Sequence, residues 1–295
     1  MKALILSSNY NSYSNKSLIN SLKKFKIQTL IVDPLDSFFE FSGEKSQYYY
    51  NGKSLTKPQI VIPRMGWQTY QMGLNLLCQF DTDEVPILNS ISAIEICHNK
   101  LRAAQFLKKN SFDIPNHFFA SSTVDAKEYF NRLGKYKYLK SLSGSQGFGV
   151  SWGQNTAHLK SLVDLLRNSQ TPHILQNDLS KNQEYRSYLL GGKVLTTIKK
   201  DFNEGRNNYS QLTIEEKKKL EAGKPFTLPK KIQQELVRLQ KELVLDFSAI
   251  DYFVSRNSAV IIDINCFPGF EYVQGKMGIN IADPLAAYIA KKSAK

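Results

Sequence analysis

Short apolar runs and helical spacings alternate along this chain. Lys2–Leu6 and Gln28–Val32 are compact apolar runs that read as strands. Between them, Ser14–Phe25 carries Leu18, Ile19, Leu22 and Phe25 at helical spacing. Strand, helix, strand predicts a parallel sheet. Tyr48–Tyr50 followed by Asn51-Gly52 predicts a hairpin turn. Ile60-Val61-Ile62 is a further strand stopped by Pro63, Leu74–Phe80 a helix, and Pro86–Leu88 another strand. Residues 1–90 are therefore expected to form a small α/β domain.

A second unit, 91–176, opens with a single expected helix over Ile91–Asn110, its apolar side made of Ile94, Leu101, Ala104 and Leu107. Ile114-Pro115 ends that pattern. Tyr136–Leu142 and Phe148–Trp152 are strand candidates flanking a glycine-rich loop, followed by a helix over Ala157–Arg167 and a strand over His173–Gln176. In a third unit, 177–295, Tyr185–Leu190, Gly191-Gly192 and Val194–Lys200 predict a hairpin. Ile232–Leu245 reads as an amphipathic helix, Ala249–Val254 and Ala259–Asn265 as strands joined at Arg256-Asn257-Ser258, and Ile281–Ala290 as the last helix. The fold class is α/β, in three units.

Composition narrows the function classes. The chain has 295 residues, 42% of them hydrophobic, enough for a substantial core. Lys+Arg 39 against Asp+Glu 26 gives a net charge of +13, spread along the chain. Such a field favours anionic partners, such as nucleotide phosphates, acidic peptides or nucleic acid, although it also serves solubility alone. The Met1–Ile5 start lacks the charged opening and long apolar stretch of a signal peptide. No segment approaches 18 apolar residues, so no membrane span is expected. Cys78, Cys97 and Cys266 are isolated in sequence, which suggests reduced thiols in a cytoplasmic protein. The four histidines show no paired spacing, leaving a histidine metal site or a Ser–His triad unsupported.

Three constellations could carry chemistry. Asp263 and Asn265 stand two apart in a strand and so share a face, and Asp251 joins them if the two strands pair. Two carboxylates and an amide oxygen are hard ligands suited to Mg²⁺ or Mn²⁺; the plainer alternative is a solvated polar face. Gly144-Ser145-Gln146-Gly147-Phe148-Gly149 could bring backbone N–H groups close to phosphates. No Gly-Lys-Ser/Thr follows and the glycine order is not that of a dinucleotide fold, so a lid over a triphosphate competes with an ordinary hairpin turn. Lys100, Lys140 and Arg206 are separated cations of the kind phosphoryl transfer needs, each also explicable as a surface charge.

In this order the pieces resemble the ATP-grasp superfamily, in particular its RimK-like branch, the ribosomal-protein-modification and alpha-L-glutamate ligases. The resemblance covers nearly the whole chain. It rests on Ile62-Pro63-Arg64-Met65-Gly66, Asn99-Lys100-Leu101-Arg102, Gly144 through Val150, and Asp263-Ile264-Asn265 followed by Pro268-Gly269. It implies a pre-ATP-grasp domain and two ATP-grasp subdomains that clamp ATP. It makes Lys100 and Lys140 the ATP-binding lysines and Gly144, Ser145, Gln146, Gly147 and Gly149 the phosphate-covering loop. Gln176 leads into a hinge where Asn177 and Asp178 would bracket adenine through backbone hydrogen bonds. Glu184 is the acid near the ribose, Arg206, Asn207 and Asn208 lie beside the phosphates, and Asp251, Asp263 and Asn265 hold Mg²⁺ or Mn²⁺, with two ions expected. Close relatives carry an acid where Asn177 stands and a Glu, one methylene longer, where Asp263 stands. The stretch from Arg206 to Thr213 is shorter here and lacks glycine, and is expected to help shape the acceptor site.

The activity so implied is ATP-dependent amide formation. A carboxylate takes the γ-phosphoryl group of ATP, an amine attacks the acyl phosphate, and phosphate leaves. Lys140, Arg206 and Asn208 would assist the chemistry, and Arg64 and Arg186 are candidates to hold acceptor carboxylates. The resemblance suggests glutamate as the amine donor, an acidic protein or peptide as acceptor, and a dimer or tetramer. Other readings are a ligase acting on a carrier protein or crosslinking a ribosomal peptide and, outside enzymes, a nucleotide sensor or basic nucleic-acid-binding protein.

Overall fold

The computed structural model describes residues 1–43, 45–119, 138–143, 149–152, 156–177, 183–200 and 223–293. Strand β1 (Lys2–Leu6) lies between β2 (Gln28–Val32) and β6 (Ile60–Pro63), both parallel to it. Helix α1 (Tyr13–Lys24) supplies the crossover, its first turn capped by Ser12, which accepts from the Asn15 N–H. Ala3, Ile5, Ile60 and Ile62 are buried with Leu18 and Leu22 of α1 on one side of this sheet. Leu4, Leu6 and Val61 are buried on the other, with Leu76, Leu77 and Phe80 of α2 (Tyr70–Thr82). Burial on both faces explains why these strands are continuous apolar runs.

Between β2 and β6 the chain makes a three-stranded antiparallel sheet of β3 (Ser37–Ser42), β4 (Lys45–Tyr50) and β5 (Lys53–Leu55). The hairpin expected at Asn51-Gly52 joins β4 to β5. The strand expected over Pro86–Leu88 is reduced to one isolated bridge, Val61 with Ile87. The expected helix over Ile91–Asn110 is two helices, α3 (Ile91–His98) and α4 (Lys100–Lys109). Asn99 breaks it: its backbone is extended, and its side chain accepts from the N–H groups of Leu101 and Arg102 at 3.1 and 3.0 Å. Asparagine is among the strongest N-caps, and here capping outweighs continued apolar spacing.

Two antiparallel sheets complete the architecture. A small one runs β7-β10-β8-β9, with β7 at His117–Phe119, β8 at Tyr138–Ser141, β9 at Val150–Trp152 and β10 at His173–Gln176. Helix α5 (Thr156–Asn168) covers it, burying Leu159 and Val163 against Leu139 and Leu175. The larger one runs β13-β12-β11-β14-β15, with β11 at Glu184–Leu190, β12 at Lys193–Lys200, β13 at Gly223–Pro225, β14 at Phe247–Ser255 and β15 at Ser258–Asn265. Gly191 and Gly192 turn β11 into β12 with φ of 55° and 78°, the left-handed backbone a two-residue hairpin requires. Helix α6 (Lys230–Glu242) buries Ile232, Leu236 and Leu239 in the same core as Leu189, Ile250, Tyr252 and Ile264. A π-helix at Glu271–Lys276 and α7 (Ala282–Lys292) lie on the other side, where Phe270, Val273, Leu285 and Ile289 join the core of β1 and α1. Among the described residues no helix is long and apolar enough to cross a membrane.

Candidate active site

The small sheet has one packed face and one polar face, while the larger sheet is packed on both sides and carries its charged groups on part of one of them. In the small sheet, Leu139 and Leu175 point to α5, so Tyr138, Lys140 and Gln176 project from the opposite side. His117 pairs with Gln176 and shares that side. Lys140 lies 6.0 Å from the Tyr138 ring. Lys100 is the first residue of α4, and its N–H donates to the Leu142 carbonyl at 2.9 Å, tethering the start of α4 to the end of β8. The break at Asn99 thus anchors the helix that begins at Lys100 to the strand that carries Lys140. Burial and then the Lys100 charge push His98 down to about 4, and burial and then the Lys140 charge push His117 down to about 4.

The hinge beyond β10 holds two buried oxygens without partners, Gln176 Oε1 and Asn177 Oδ1. Buried acceptors of this kind call for a donor from outside the chain, and the amino group of a purine supplies one. The residues present therefore fit a nucleotide. One detail differs from the sequence expectation: the Asn177 N–H is taken by the Asn116 carbonyl at 3.2 Å, so the side-chain oxygen is what Asn177 has left to offer. Asp178 lies outside the described residues, as do Gly144, Ser145, Gln146, Gly147, Arg206, Asn207 and Asn208. Gly149 is described, with φ of 73° and its carbonyl accepting from the Ser141 N–H at 2.7 Å. A Cβ there would lie 2.1 Å from Ser141 Oγ, so both conformation and space require glycine.

The polar face of the larger sheet is dense with charge. Arg186 stands opposite Asp251 across β11 and β14, and Asp251 stands opposite Asp263 across β14 and β15. A bulge decides the second pairing. Tyr252 faces Ile261, and the extra residue, Ile262, lets Asp263 face Asp251. Arg186 holds Asp251 with a two-pronged contact, Nε to Oδ1 at 2.8 Å and Nη2 to Oδ2 at 2.7 Å. Lys200 Nζ lies 2.8 Å from Asp251 Oδ1 and also pairs with Glu184. Burial alone would raise the Asp251 carboxyl, but the charges of Arg186 and Lys200 outweigh it and hold the group below the ordinary carboxylate range. For Lys200, burial works downward, yet Asp251 and Glu184 carry its pKa above the usual value.

The three expected metal ligands thus share one face in unequal states. Asp263 is exposed and Asn265 half-buried, its Oδ1 accepting from the Phe267 N–H at 2.9 Å. Asp251 is buried, with both oxygens already receiving hydrogen bonds from cations. No cluster of three or more His, Cys, Asp or Glu residues that could hold a metal occurs among the described residues. Hard oxygens at Asp263 and Asn265 beside a buried carboxylate still fit Mg²⁺. Glu184, expected near a ribose, is buried and paired to Lys200.

Lys200 was not singled out from the sequence. Its signal was a lysine in register with polar positions at the end of a strand, and only the partner strands show that it is buried. Cys97 and Cys266, isolated in sequence, meet through their thiols, and the contact with Cys266 together with burial pushes the Cys97 thiol up. All three cysteines are free. Arg64 sits at the end of β6, with Nε donating to Asn15 Oδ1 at 3.2 Å and Nη1 to the Pro268 carbonyl at 2.7 Å.

Comparison with known proteins resolves the family. Residues 1–94 match the model of the RimK PreATP-grasp domain, and residues 97–289 match that of the RimK-like ATP-grasp domain. The chain belongs to the RimK-like ATP-grasp family. It is an ATP-dependent ligase. A probable alpha-L-glutamate ligase of Xanthomonas axonopodis pv. citri (strain 306) is 27% identical over 98% of this chain and 97% of its own length. Another from Vibrio cholerae serotype O1 (strain ATCC 39541 / Classical Ogawa 395 / O395) is 26% identical over 100% and 97%. The D-alanine–D-alanine ligase of Bacillus anthracis complexed with ATP superposes with a TM-score of 0.69 at 14% identity, covering 99% of this chain and 97% of that one. ATP-grasp ligase PsnB, complexed with a precursor peptide and AMPPNP, gives 0.70 at 13% identity over 100% and 98%. These structural likenesses bear on the fold, which they share with this RimK-like chain.

Proposed function

We propose that this RimK-like ligase adds glutamate to the C-terminus of an acidic protein or peptide through an acyl phosphate. The observation that carries this reading is the charged face of the larger sheet, where Glu184, Arg186, Lys200, Asp251, Asp263 and Asn265 stand on neighbouring strands. Relatives named as probable alpha-L-glutamate ligases over nearly the whole chain support the choice of glutamate. The net charge of +13 suits an acidic acceptor.

In this reading the units are 1–90, 91–176 and 177–295, with the nucleotide between the second and third. Lys100 and Lys140 place fixed positive charge on the phosphates. Gln176 and Asn177 accept hydrogen bonds from adenine, while Gly144, Ser145, Gln146, Gly147 and Gly149 cover the phosphates and keep water from the acyl phosphate. Arg206, Asn207 and Asn208 act beside the transferring phosphoryl group, and Asp178 and Glu184 lie at the nucleoside. Asp263 and Asn265, with Asp251 behind them, hold two Mg²⁺ or Mn²⁺ ions. Bound metal supplies charge neutralisation at the phosphates. Asp251 also keeps Arg186 and Lys200 aimed at the reaction face. The active form is a homo-oligomer.

The test is ADP release by purified protein with Mg²⁺ and ATP across amino acids and acidic peptides, with mass spectrometry of the products. Glutamate-dependent release with added glutamyl mass is expected. Release only with another amine, carrier protein or precursor peptide would move the substrate and replace this reading.

A further inference from the structure

The two arginines of interest have opposite surroundings. Arg186 is matched inside the protein by Asp251. Arg64 is half-buried, and its partners among the described residues are all uncharged. Its partners are Asn15 Oδ1, the Pro268 carbonyl and the Phe270 ring, whose centroid lies 5.7 Å from the guanidinium carbon. No carboxylate among the described residues pairs with it. Burial lowers its pKa to about 10, and the group remains charged at neutral pH. A guanidinium has five donors, and the two hydrogen bonds here use two of them. A partly desolvated guanidinium with spare donors and no internal anion is suited to receive one from a ligand.

The surroundings are built to aim this side chain. Asn15, 1% exposed, donates through Nδ2 to Ser7 Oγ at 3.1 Å and to the Asn9 carbonyl at 2.8 Å. Those bonds fix the amide so that Oδ1 faces Arg64. Ser7 and Asn9 follow β1, and Arg64 follows β6. Because β1 lies between β2 and β6, this is the carboxyl edge of an open parallel sheet where the connections diverge, the place such sheets bind ligands. On the far side, the Phe270 N–H donates to Ser14 Oγ at 2.9 Å and Tyr188 Oη donates to the Gly269 carbonyl at 2.8 Å. Tyr188 lines a small open pocket with Arg186, Lys200 and Tyr272. Arg64 therefore sits at the rim of the charged face.

We propose that Arg64, oriented by Asn15, binds a non-reacting carboxylate of a substrate at the junction of β6 with the Pro268–Phe270 loop. This rests on the ligase reading. The joining of a carboxylate to an amino acid leaves the amino acid's own carboxylates intact, and an acidic acceptor carries others. Both sources present the same planar anion, which a guanidinium matches with paired hydrogen bonds. Asn15 acts as a positioning residue.

Steady-state ADP release by the full chain, with ATP and Mg²⁺, tests this in wild type, Arg64→Met, Arg64→Lys and Asn15→Leu. The probes are L-glutamate, its α-amide, and an acceptor peptide with glutamate or glutamine side chains. If the amino acid is the source, Arg64→Met raises the KM for glutamate about 10- to 100-fold. The KM for ATP stays unchanged, and the α-amide is equally poor with both proteins. If the acceptor is the source, the rise falls on the peptide KM and vanishes for the glutamine peptide. Asn15→Leu shifts the same KM by a smaller factor. Unchanged KM values for both substrates in Arg64→Met, or a fall in kcat alone, overturn the site. Should the Met variant not fold, Arg64→Lys keeps the charge, loses the fork and is read the same way. A wild type that releases no ADP with any carboxylate substrate sinks the ligase reading by itself. The site is then judged by melting with an ATP analogue bound. A glutamate-dependent rise in Tm that Arg64→Lys lacks supports it, and no rise in wild type overturns it.

Discussion

The two sheets that bear the polar faces differ in how they are held. The larger sheet belongs to a continuous core that includes Leu189, Ile250, Tyr252 and Ile264, the helix residues Leu236 and Leu239, and the neighbouring residues Leu107 and Phe112. The small sheet has its own core, made of Leu139, Leu159, Val163 and Leu175, with Phe118, Leu162 and Leu166 packed against it. Hydrophobic stabilisation scales with buried apolar area, so on the cores of the described residues the small sheet is expected to open at lower free energy. Its polar face carries Lys140 and the unpartnered hinge oxygens, whereas the larger face is already neutralised by internal ion pairs. One wall is therefore pre-organised by ion pairs, and the other leaves two hinge oxygens for a ligand to complete.

The sharpest way to break this comparison is Asp251→Ala. It leaves buried Lys200 with Glu184 alone and half-buried Arg186 without that acid, and the loss should be about 3 kcal/mol in a denaturant titration. A variant as stable as wild type would mean that the larger wall does not depend on this network. Asp263→Ala probes the same wall without that penalty, because Asp263 is exposed and forms no ion pair with the described residues. Turnover should fall by at least about 100-fold, some 2.7 kcal/mol, while Tm stays near wild type. Retained turnover would remove Asp263 from the metal site.

For the small sheet, Leu175→Ala should cost about 2–3 kcal/mol. Hydrogen exchange should report that cost as faster opening of β8 and β10, with β14 unaffected and an ATP analogue restoring protection. Equal acceleration in both sheets would join them into one cooperative unit. The smallest effect concerns His117. Its folded pKa of about 4 lies below the unfolded value of 6.5. Between those values the unfolded chain binds more protons, so stability falls as pH drops from 6.5 toward 4. His117→Phe should flatten that part of the stability profile. An unchanged profile would place the acid sensitivity elsewhere, with His98 the next candidate.

Local rules made much of this legible in advance. Continuous apolar runs marked β1 and β6, and the glycine pair marked the hairpin of β11 and β12. Period two placed Asp263 and Asn265 on one face. Capping defeated the reading at Asn99, because the apolar spacing continues through a residue whose side chain is better used closing a new helix. Lys200 was passed over because a lysine at a strand end is ordinarily solvated. Pairing between β3 and β4 was missed because Ser37–Ser42 mixes aromatics with polar residues on a half-exposed sheet.

By itself, then, the sequence determined which segments become strands and helices, the turn chemistry between them, and the supply of oxygen ligands and cations. These follow from residue type and from periods two and three to four, which are properties of neighbouring positions. Tertiary structure alone decided which charges neutralise each other and which are left for a substrate. Arg186 and Asp251, or Arg64 and Asn15, lie far apart along the chain, and their meeting depends on register, a bulge at Ile262 and the packing of separate sheets. Burial sets the strength of those contacts, and burial belongs to the assembled fold.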